Sequence, residues 1–154
     1  MTNLKNSGIA NNLACKTTCL SITIVGHKLN PDEITRILKI EPTRGYSKVS
    51  VWHSHGFKRE RKMGHWSFDT KFFLESTSVE KHARFLLERF EEKSSVLQSL
   101  CERYSVVISI WWELWECYGG FSLDACTLQR LSQLCKRVDF YLISFFDEDE
   151  NEQG

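Results

Sequence analysis

The spacing of hydrophobic residues along the chain predicts four strands. In CLSITIVG, residues 19–26, apolar side chains occupy every second position, which is the period of a half-buried β-strand. The segments HWSFDTKFFL, 65–74, and SVVISIWWELWE, 105–116, repeat this period. The closing stretch VDFYLISFF is rich in aromatic and branched residues, as strands are. The glycine-containing stretch 43–64 is expected to be an irregular connection, with room for one short strand at YSKVSVW.

Between the strands, the apolar spacing becomes helical. Asn30 and Pro31 suit the start of a helix over about 31–39, which ends before Pro42. The longest predicted helix runs over 77–104, where apolar residues recur at intervals of three, four and seven.

Local signals refine the two later helices. Thr77 is predicted to cap the long helix, and the pair Ser94 and Ser95 marks where this helix kinks or divides. A last helix, capped by Ser122, precedes the closing strand. The order is therefore strand, helix, one or two strands, long helix, strand, helix, strand.

This mixed order predicts an α+β protein. We expect a single, mostly antiparallel sheet of about four to five strands with two to three helices on one face, as a relative of the ferredoxin-like arrangement. Residues 1–18 are expected to be a flexible lead-in, 19–146 a single α+β domain and 147–154 an acidic tail.

Composition excludes several classes of function. Twenty basic residues balance twenty acidic ones, so no overall field favours nucleic acid or an anionic membrane. The six cysteines lack the paired short spacings of a zinc site. The first twenty residues do not show the charged start and long apolar run expected of a secretory signal, and no apolar stretch approaches the roughly 20 residues that span a bilayer. We therefore expect a cytoplasmic protein with free thiols and no cofactor.

Four segments resemble a known family. They are LNPDEITRILKIEPTRG, the strand HWSFDT, the turn and capped helix YGGFSLDACTLQRLSQL, and the closing VDFYLIS. Together they make the chain similar, over about residues 19–145, to the uncharacterised bacterial family known as domain of unknown function 4279. The run from Leu29 to Arg44 is the most specific part, although the family often has glycine near Lys39. The resemblance implies a small α+β domain with no assigned reaction and no catalytic residues.

The two faces of the third strong strand differ in character. Ile108, Ile110 and Trp112 share one parity and should face the helices, whereas Trp111, Glu113 and Trp115 share the other. Tryptophan is enriched at binding hot spots, and carboxylates suit a basic partner. The candidate partner-binding residues are Trp111, Glu113, Trp115, Asp147, Glu148 and Asp149. The alternative is that the chain itself or a homodimer covers this face.

Two other groups are weaker candidates for chemistry. His53, His55 and His65 could converge on a metal in a ligand-binding or enzyme-like domain, but histidines in a polar loop are ordinary. The basic loop, Lys58, Arg59, Arg61 and Lys62, could contact nucleic-acid phosphates, but it also suits a solvated hairpin tip. No local signature of a nucleophile or phosphate loop is present in the sequence.

These observations favour binding over catalysis. We expect a non-enzymatic protein-binding domain that contacts neither nucleic acid nor membrane. Its most concrete form is an immunity protein that occludes a cognate bacterial toxin, for example a nuclease with a cationic groove.

Overall fold

A computed structural model gives the fold and describes residues 15–48, 51–115 and 119–144. In chain order the elements are β1 (Cys15–Gly26), α1 (Pro31–Leu38), β2 (Arg44–Tyr46), β3 (Val51–Ser54), β4 (Phe57–Glu60), β5 (Gly64–Asp69), α2 (Val79–Phe90), α3 (Ser94–Arg103), β6 (Ser105–Leu114), α4 (Ala125–Ser132) and β7 (Arg137–Ser144). Short 3₁₀ turns follow β5 at Thr70–Phe72 and join α2 to α3 at Glu91–Lys93.

Five strands form one mixed sheet in the order β2, β5, β1, β6, β7. All neighbours are antiparallel except β6 and β7, which are parallel and are joined through α4. The predicted α+β class with a mostly antiparallel sheet is therefore confirmed. Without the β3–β4 hairpin and the α4–β7 unit, the elements follow the strand and helix order of the ferredoxin-like motif. Because β7 adds a parallel strand to that order, the ferredoxin-like relation stays a prediction.

The core lies between the helices and one face of the sheet. Side chains of alternate strand positions fill it, among them Leu20, Ile22 and Ile24 of β1, which are fully buried. Trp66 and Phe68 of β5 pack edge-on against Phe90 of α2. Burial of each such side chain contributes about 1.5–3 kcal/mol, so this face holds the sheet and helices together. None of the described helices is long and apolar enough to cross a membrane.

The first helix shows how its flanking residues set its length. The side chain of Asn30 accepts a hydrogen bond from the Asp32 amide at 3.0 Å, as predicted for a cap. Helix α1 ends at Leu38, and Lys39 follows in the left-handed conformation with φ 56° and ψ 36°. The Lys39 amide donates to the Thr35 carbonyl at 2.7 Å, which satisfies one of the last carbonyls of the helix.

A buried histidine joins α2 to the sheet. The Nε2–H group of His82 donates to the Ser76 carbonyl at 2.8 Å, and Nδ1 lies 2.6 Å from the Thr70 hydroxyl. Burial lowers the pKa of His82, so the ring is neutral at pH 7. Its single proton is on Nε2, because the Ser76 carbonyl can only accept, and Nδ1 therefore accepts from the Thr70 hydroxyl, which also accepts from the Leu20 amide at 3.0 Å.

Several local predictions need correction. Ser78, rather than Thr77, caps α2 by accepting from the Lys81 amide, and Asp124, rather than Ser122, caps α4. The division of the long helix at Ser94 and Ser95 is confirmed, because α3 begins at Ser94 after the 3₁₀ turn at Glu91–Lys93. A shift of one to three residues is the normal uncertainty of a helix end read from propensity alone.

The strand boundaries and the connection over 43–64 also differ. Strand β1 begins at Cys15 instead of residue 19, and β5 ends at Asp69, which leaves Phe72 64% exposed. The connection contains β2 and a separate two-stranded hairpin, β3–β4. His55 and Gly56 form its turn with φ of 49° and 79°, which is the backbone that a two-residue turn of type I′ requires.

Candidate functional site on the helix-free face

Strand β6 divides its side chains between the two faces of the sheet. Trp112 is 1% exposed and packs with Ile110 against the helices, whereas Trp111 is 38% and Trp115 63% exposed. Glu113 is half-buried on the same helix-free face as Trp111. The predicted difference between the two faces of this strand is therefore confirmed. The described part of the 43–64 connection leaves both outer tryptophans accessible.

Trp111 is held in place by a neighbour on β7. Its ring stacks on Tyr141 with centroids 4.2 Å apart and planes 12° apart, because the two residues are register partners. On the other side, its register partner on β1 is the small, buried Cys19. One face of the indole is thus covered by Tyr141 and the other is turned toward β1.

Trp115 extends the aromatic surface beyond the end of β6. The Lys16 ammonium lies 5.0 Å from the centroid of its ring, in the position of a cation–π contact. We call Trp111, Tyr141 and Trp115 the aromatic shelf. With Glu113 beside it, the shelf combines apolar contact area with a carboxylate.

A groove of about 560 Å³ lies on this face between β2 and β6. Its floor consists of small hydroxyl side chains on β1, β5 and β6, whereas its rim consists of longer side chains. The floor residues are Ser21, Thr23, Ser67 and Ser109, and the rim residues are Arg44, His65, Asp69, Lys71, Trp111 and Glu113. A floor of short side chains inside a rim of long ones creates the depression.

The register of the strands brings the floor residues together. Ser21 of β1 lies opposite Ser109 on β6 and opposite Asp69 on β5, and Thr23 lies opposite Ser67. Ser21 is 5% exposed and Ser67 is 4% exposed, so these hydroxyls are at the bottom of the groove.

The β2 end of the groove is positively charged. The His65 ring stacks on Tyr46 with centroids 4.9 Å apart, and the Arg61 guanidinium carbon lies 3.6 Å from the centroid of the same tyrosine ring. Burial lowers the pKa of His65, and the charges of Arg44 and Arg61 lower it further, against an opposing effect of Asp69. His65 is therefore neutral at pH 7, and the arginines provide the charge.

Asp69 and the thiols complete the chemistry of the groove. One Asp69 carboxylate oxygen accepts from the Thr43 hydroxyl at 2.7 Å. Burial raises the pKa of Cys19 at the groove and of Cys15 in the core, so both are protonated thiols at neutral pH. Neither has the lowered pKa of a nucleophilic cysteine.

The candidate metal ligands lie on different elements. His53 is on β3 and His55 is in the hairpin turn, and both are exposed, whereas His65 is on β5 in the groove. Within the ranges that the structure describes, no three histidine, cysteine, aspartate or glutamate residues are grouped so as to hold a metal ion.

The basic residues are likewise divided. Lys58 and Arg59 are consecutive on β4 and therefore point to opposite sides of the hairpin. The Arg59 guanidinium lies 6.0 Å from the Trp52 ring centroid, while Lys62 follows the hairpin and is exposed. Only Arg61 of the four contacts Tyr46 near the groove. The acidic candidates Asp147, Glu148 and Asp149 lie outside the described residues.

Sequence reasoning did not find most of the groove. It did not select Arg44, Asp69, Tyr141 or the floor serines, because their proximity depends on strand order and register. One signal was available: Ser21, Ser67 and Ser109 each interrupt an apolar strand at the polar parity. Three hydroxyls at the polar parity of three strands would have indicated a polar patch.

The fold and the groove define an α+β protein whose helices cover one face of a mixed sheet and leave a polar groove open on the other. The family described as Domain of unknown function (DUF4279) matches residues 15–144, and the chain belongs to this family. No curated protein and no solved structure matches the chain.

Proposed function

We propose that this protein is a non-enzymatic binding domain that docks a protein partner on its aromatic shelf. The observation that carries the proposal is the exposure of Trp111 and Trp115 on the sheet face that none of the described helices covers. Tryptophan and tyrosine provide large contact areas at low entropic cost and are enriched among binding hot spots. The stack on Tyr141 fixes Trp111 in advance, so little side-chain entropy remains to be lost on binding.

The edge strand next to the shelf supports a macromolecular partner. Strand β7 is the last strand of the sheet, and Phe140 and Leu142 on it are 51% and 63% exposed. They alternate with Tyr141 and lie on the helix side of β7, so both faces of this edge strand expose large apolar side chains. Exposed apolar surface of this kind marks sites of protein association.

The most concrete form of the proposal is a toxin-neutralising immunity protein that acts in the cytosol. Glu113 beside the shelf would pair with cationic residues of the toxin, such as those that bind phosphate in a nuclease. Asp147, Glu148 and Asp149 are proposed to contribute to the same attraction. The mechanism is occlusion, in which the immunity protein covers the groove that the toxin needs for its substrate.

Co-expression with a toxin domain, where a neighbouring gene encodes one, tests this proposal. The wild-type protein should restore growth and bind the purified toxin domain, and Trp111→Ala with Trp115→Ala should weaken binding at least about tenfold. Trp52→Ala is the matched control, because Trp52 is 40% exposed on the separate hairpin. Circular dichroism of each variant verifies folding. Unchanged protection by the double variant would overturn the assignment of the shelf.

A further inference from the structure

We propose that the groove on the helix-free face binds a nucleoside monophosphate. The base would stack on Trp111, the ribose would lie over the serine floor and the phosphate would bind at Arg44. This site does not rest on the proposed protein partner. Because Trp111 and Glu113 would serve both, the nucleotide and the partner are expected to compete.

The floor provides the first argument. Ser21 and Ser67 are more than nine-tenths buried and line the groove, yet within the described part of the chain their hydroxyls have no side-chain hydrogen bond. Neither hydroxyl is among the described polar atoms that are fully buried without a partner, so both are open to the groove and can bond to a ligand. The hydroxyls of a ribose offer matching donors and acceptors. Asp69, in the same cross-strand row as Ser21, can accept from a ribose hydroxyl, as acidic residues do in dinucleotide sites.

The Trp111 end suits a planar base. Since Tyr141 covers one face of the indole, the face turned toward β1 is the one available to a ligand. Stacking on an aromatic side chain is the general way in which proteins hold an unpaired base. Glu113, two residues along on the same face, can accept from an exocyclic amino group.

The Arg44 end suits a phosphate. The guanidinium is planar and presents several donors that match phosphate oxygens in a bidentate manner. No carboxylate forms an ion pair with Arg44 among the residues that the structure describes. Ser67 is its register partner and adds a hydroxyl, while Arg61 contributes positive charge from beyond Tyr46.

The separation of the two ends selects the size of the ligand. Arg44 lies in one cross-strand row with Ser67, Thr23 and Val107, whereas Trp111 lies four residues further along β6, so their Cα atoms are about 19 Å apart at the usual strand spacing and rise. Both side chains line the groove and shorten the gap that a ligand has to bridge. A free phosphate or a free base reaches only one end, whereas a mononucleotide carries a base and a phosphate on opposite sides of its sugar. The groove volume of about 560 Å³ lies within the range of small-molecule sites.

Titration calorimetry of the purified full chain tests the site, with AMP, GMP, CMP and UMP as probes. At least one mononucleotide should bind with a submillimolar Kd. AMP, GMP and CMP, whose bases carry an amino group, should bind more tightly than UMP, because Glu113 can accept a hydrogen bond from that group. For the best mononucleotide, the matching nucleoside and ribose 5-phosphate should each bind at least about tenfold more weakly, because each lacks one end.

Variants assign the two ends. Arg44→Gln should lower the affinity for the mononucleotide at least about tenfold and leave the affinity for the nucleoside unchanged. Trp111→Leu should lower the affinity for both and leave the affinity for ribose 5-phosphate unchanged. Arg59→Gln and Trp52→Leu on the hairpin are matched controls without effect. Absence of binding by all four mononucleotides at millimolar concentration would overturn the proposal. Equal affinity for nucleoside and mononucleotide would also overturn it. Either failure would leave toxin protection by the wild-type protein unaffected, so the two proposals can be separated.

Discussion

Replacement of Lys39 by glycine should stabilise the protein. Lys39 follows α1 with φ 56° and ψ 36°, in the left-handed region that glycine adopts without strain. Its side chain is exposed, and its backbone amide makes the capping bond to Thr35 whichever side chain is present. The lysine therefore occupies a backbone conformation that favours glycine.

The expected gain follows from two opposing effects. A non-glycine residue in the left-handed region costs about 1–2 kcal/mol. Glycine at the same place reduces this gain by about 0.4–1 kcal/mol, because it gives the unfolded chain more conformational freedom. The net increase in the free energy of unfolding should therefore be about 0.5–1 kcal/mol, which corresponds to a rise in Tm of about 2 °C in a chain of this size.

Urea unfolding, followed by tryptophan fluorescence, measures this difference. Lys39→Ala separates the backbone effect from loss of the lysine side chain, since alanine keeps the left-handed strain and should show no gain. Arg36→Gly, inside α1, is the second control and should lose about 1 kcal/mol. A Lys39→Gly variant that is no more stable than Lys39→Ala would refute the reasoning.

Two further predictions concern buried positions. Because burial lowers the pKa of His82, the unfolded state takes up a proton before the folded state does as pH falls through about 6.5. The stability that neutral His82 provides is thus present above this pH and lost below it. Between pH 7.5 and pH 5, the urea midpoint should fall less for His82→Gln than for the wild type or the exposed control His27→Gln. Equal pH dependence of the midpoint in all three proteins would contradict this assignment. Gly64→Ala should cost about 3 kcal/mol or more, because the new Cβ would lie 2.2 Å from the Leu29 carbonyl oxygen. Gly120→Ala, where nothing lies within 4 Å, should be neutral by thermal unfolding, and equal Tm values for the two variants would show that the backbone yields at Gly64.

The elements could be predicted where the spacing of apolar residues along the sequence is enough to determine which side chains are buried. Strand β6 is the clearest case: Trp112 and Trp111 are adjacent in the sequence, and parity alone assigns one to the core and the other to the open face. Helix α1 is similar, because Asn30, Pro31 and the apolar spacing all favour the same start. In both elements, local preference and tertiary packing agree, so a single sequence is sufficient.

The prediction was wrong where tertiary contacts decide between similar local choices. Thr77 and Ser78 are both good caps, and only packing selects Ser78. Phe72 continues the strand period of β5, but Thr70 turns into a 3₁₀ helix where its hydroxyl contacts both β1 and His82. A buried network between distant parts of the chain therefore ends the strand, and no local pattern contains that information.

The groove depends on strand order even more strongly, and the α4–β7 unit shows why. Without β7, strand β6 would be the sheet edge, and the Trp111 ring would lack the Tyr141 stack that covers one of its faces. Addition of β7 in parallel register places Tyr141 beside Trp111 and leaves only the face toward β1 for a ligand. The same strand contributes the exposed Phe140 and Leu142 of the proposed docking surface. Both proposed sites are therefore built by the last strand, whose pairing partner and direction cannot be deduced from its own sequence.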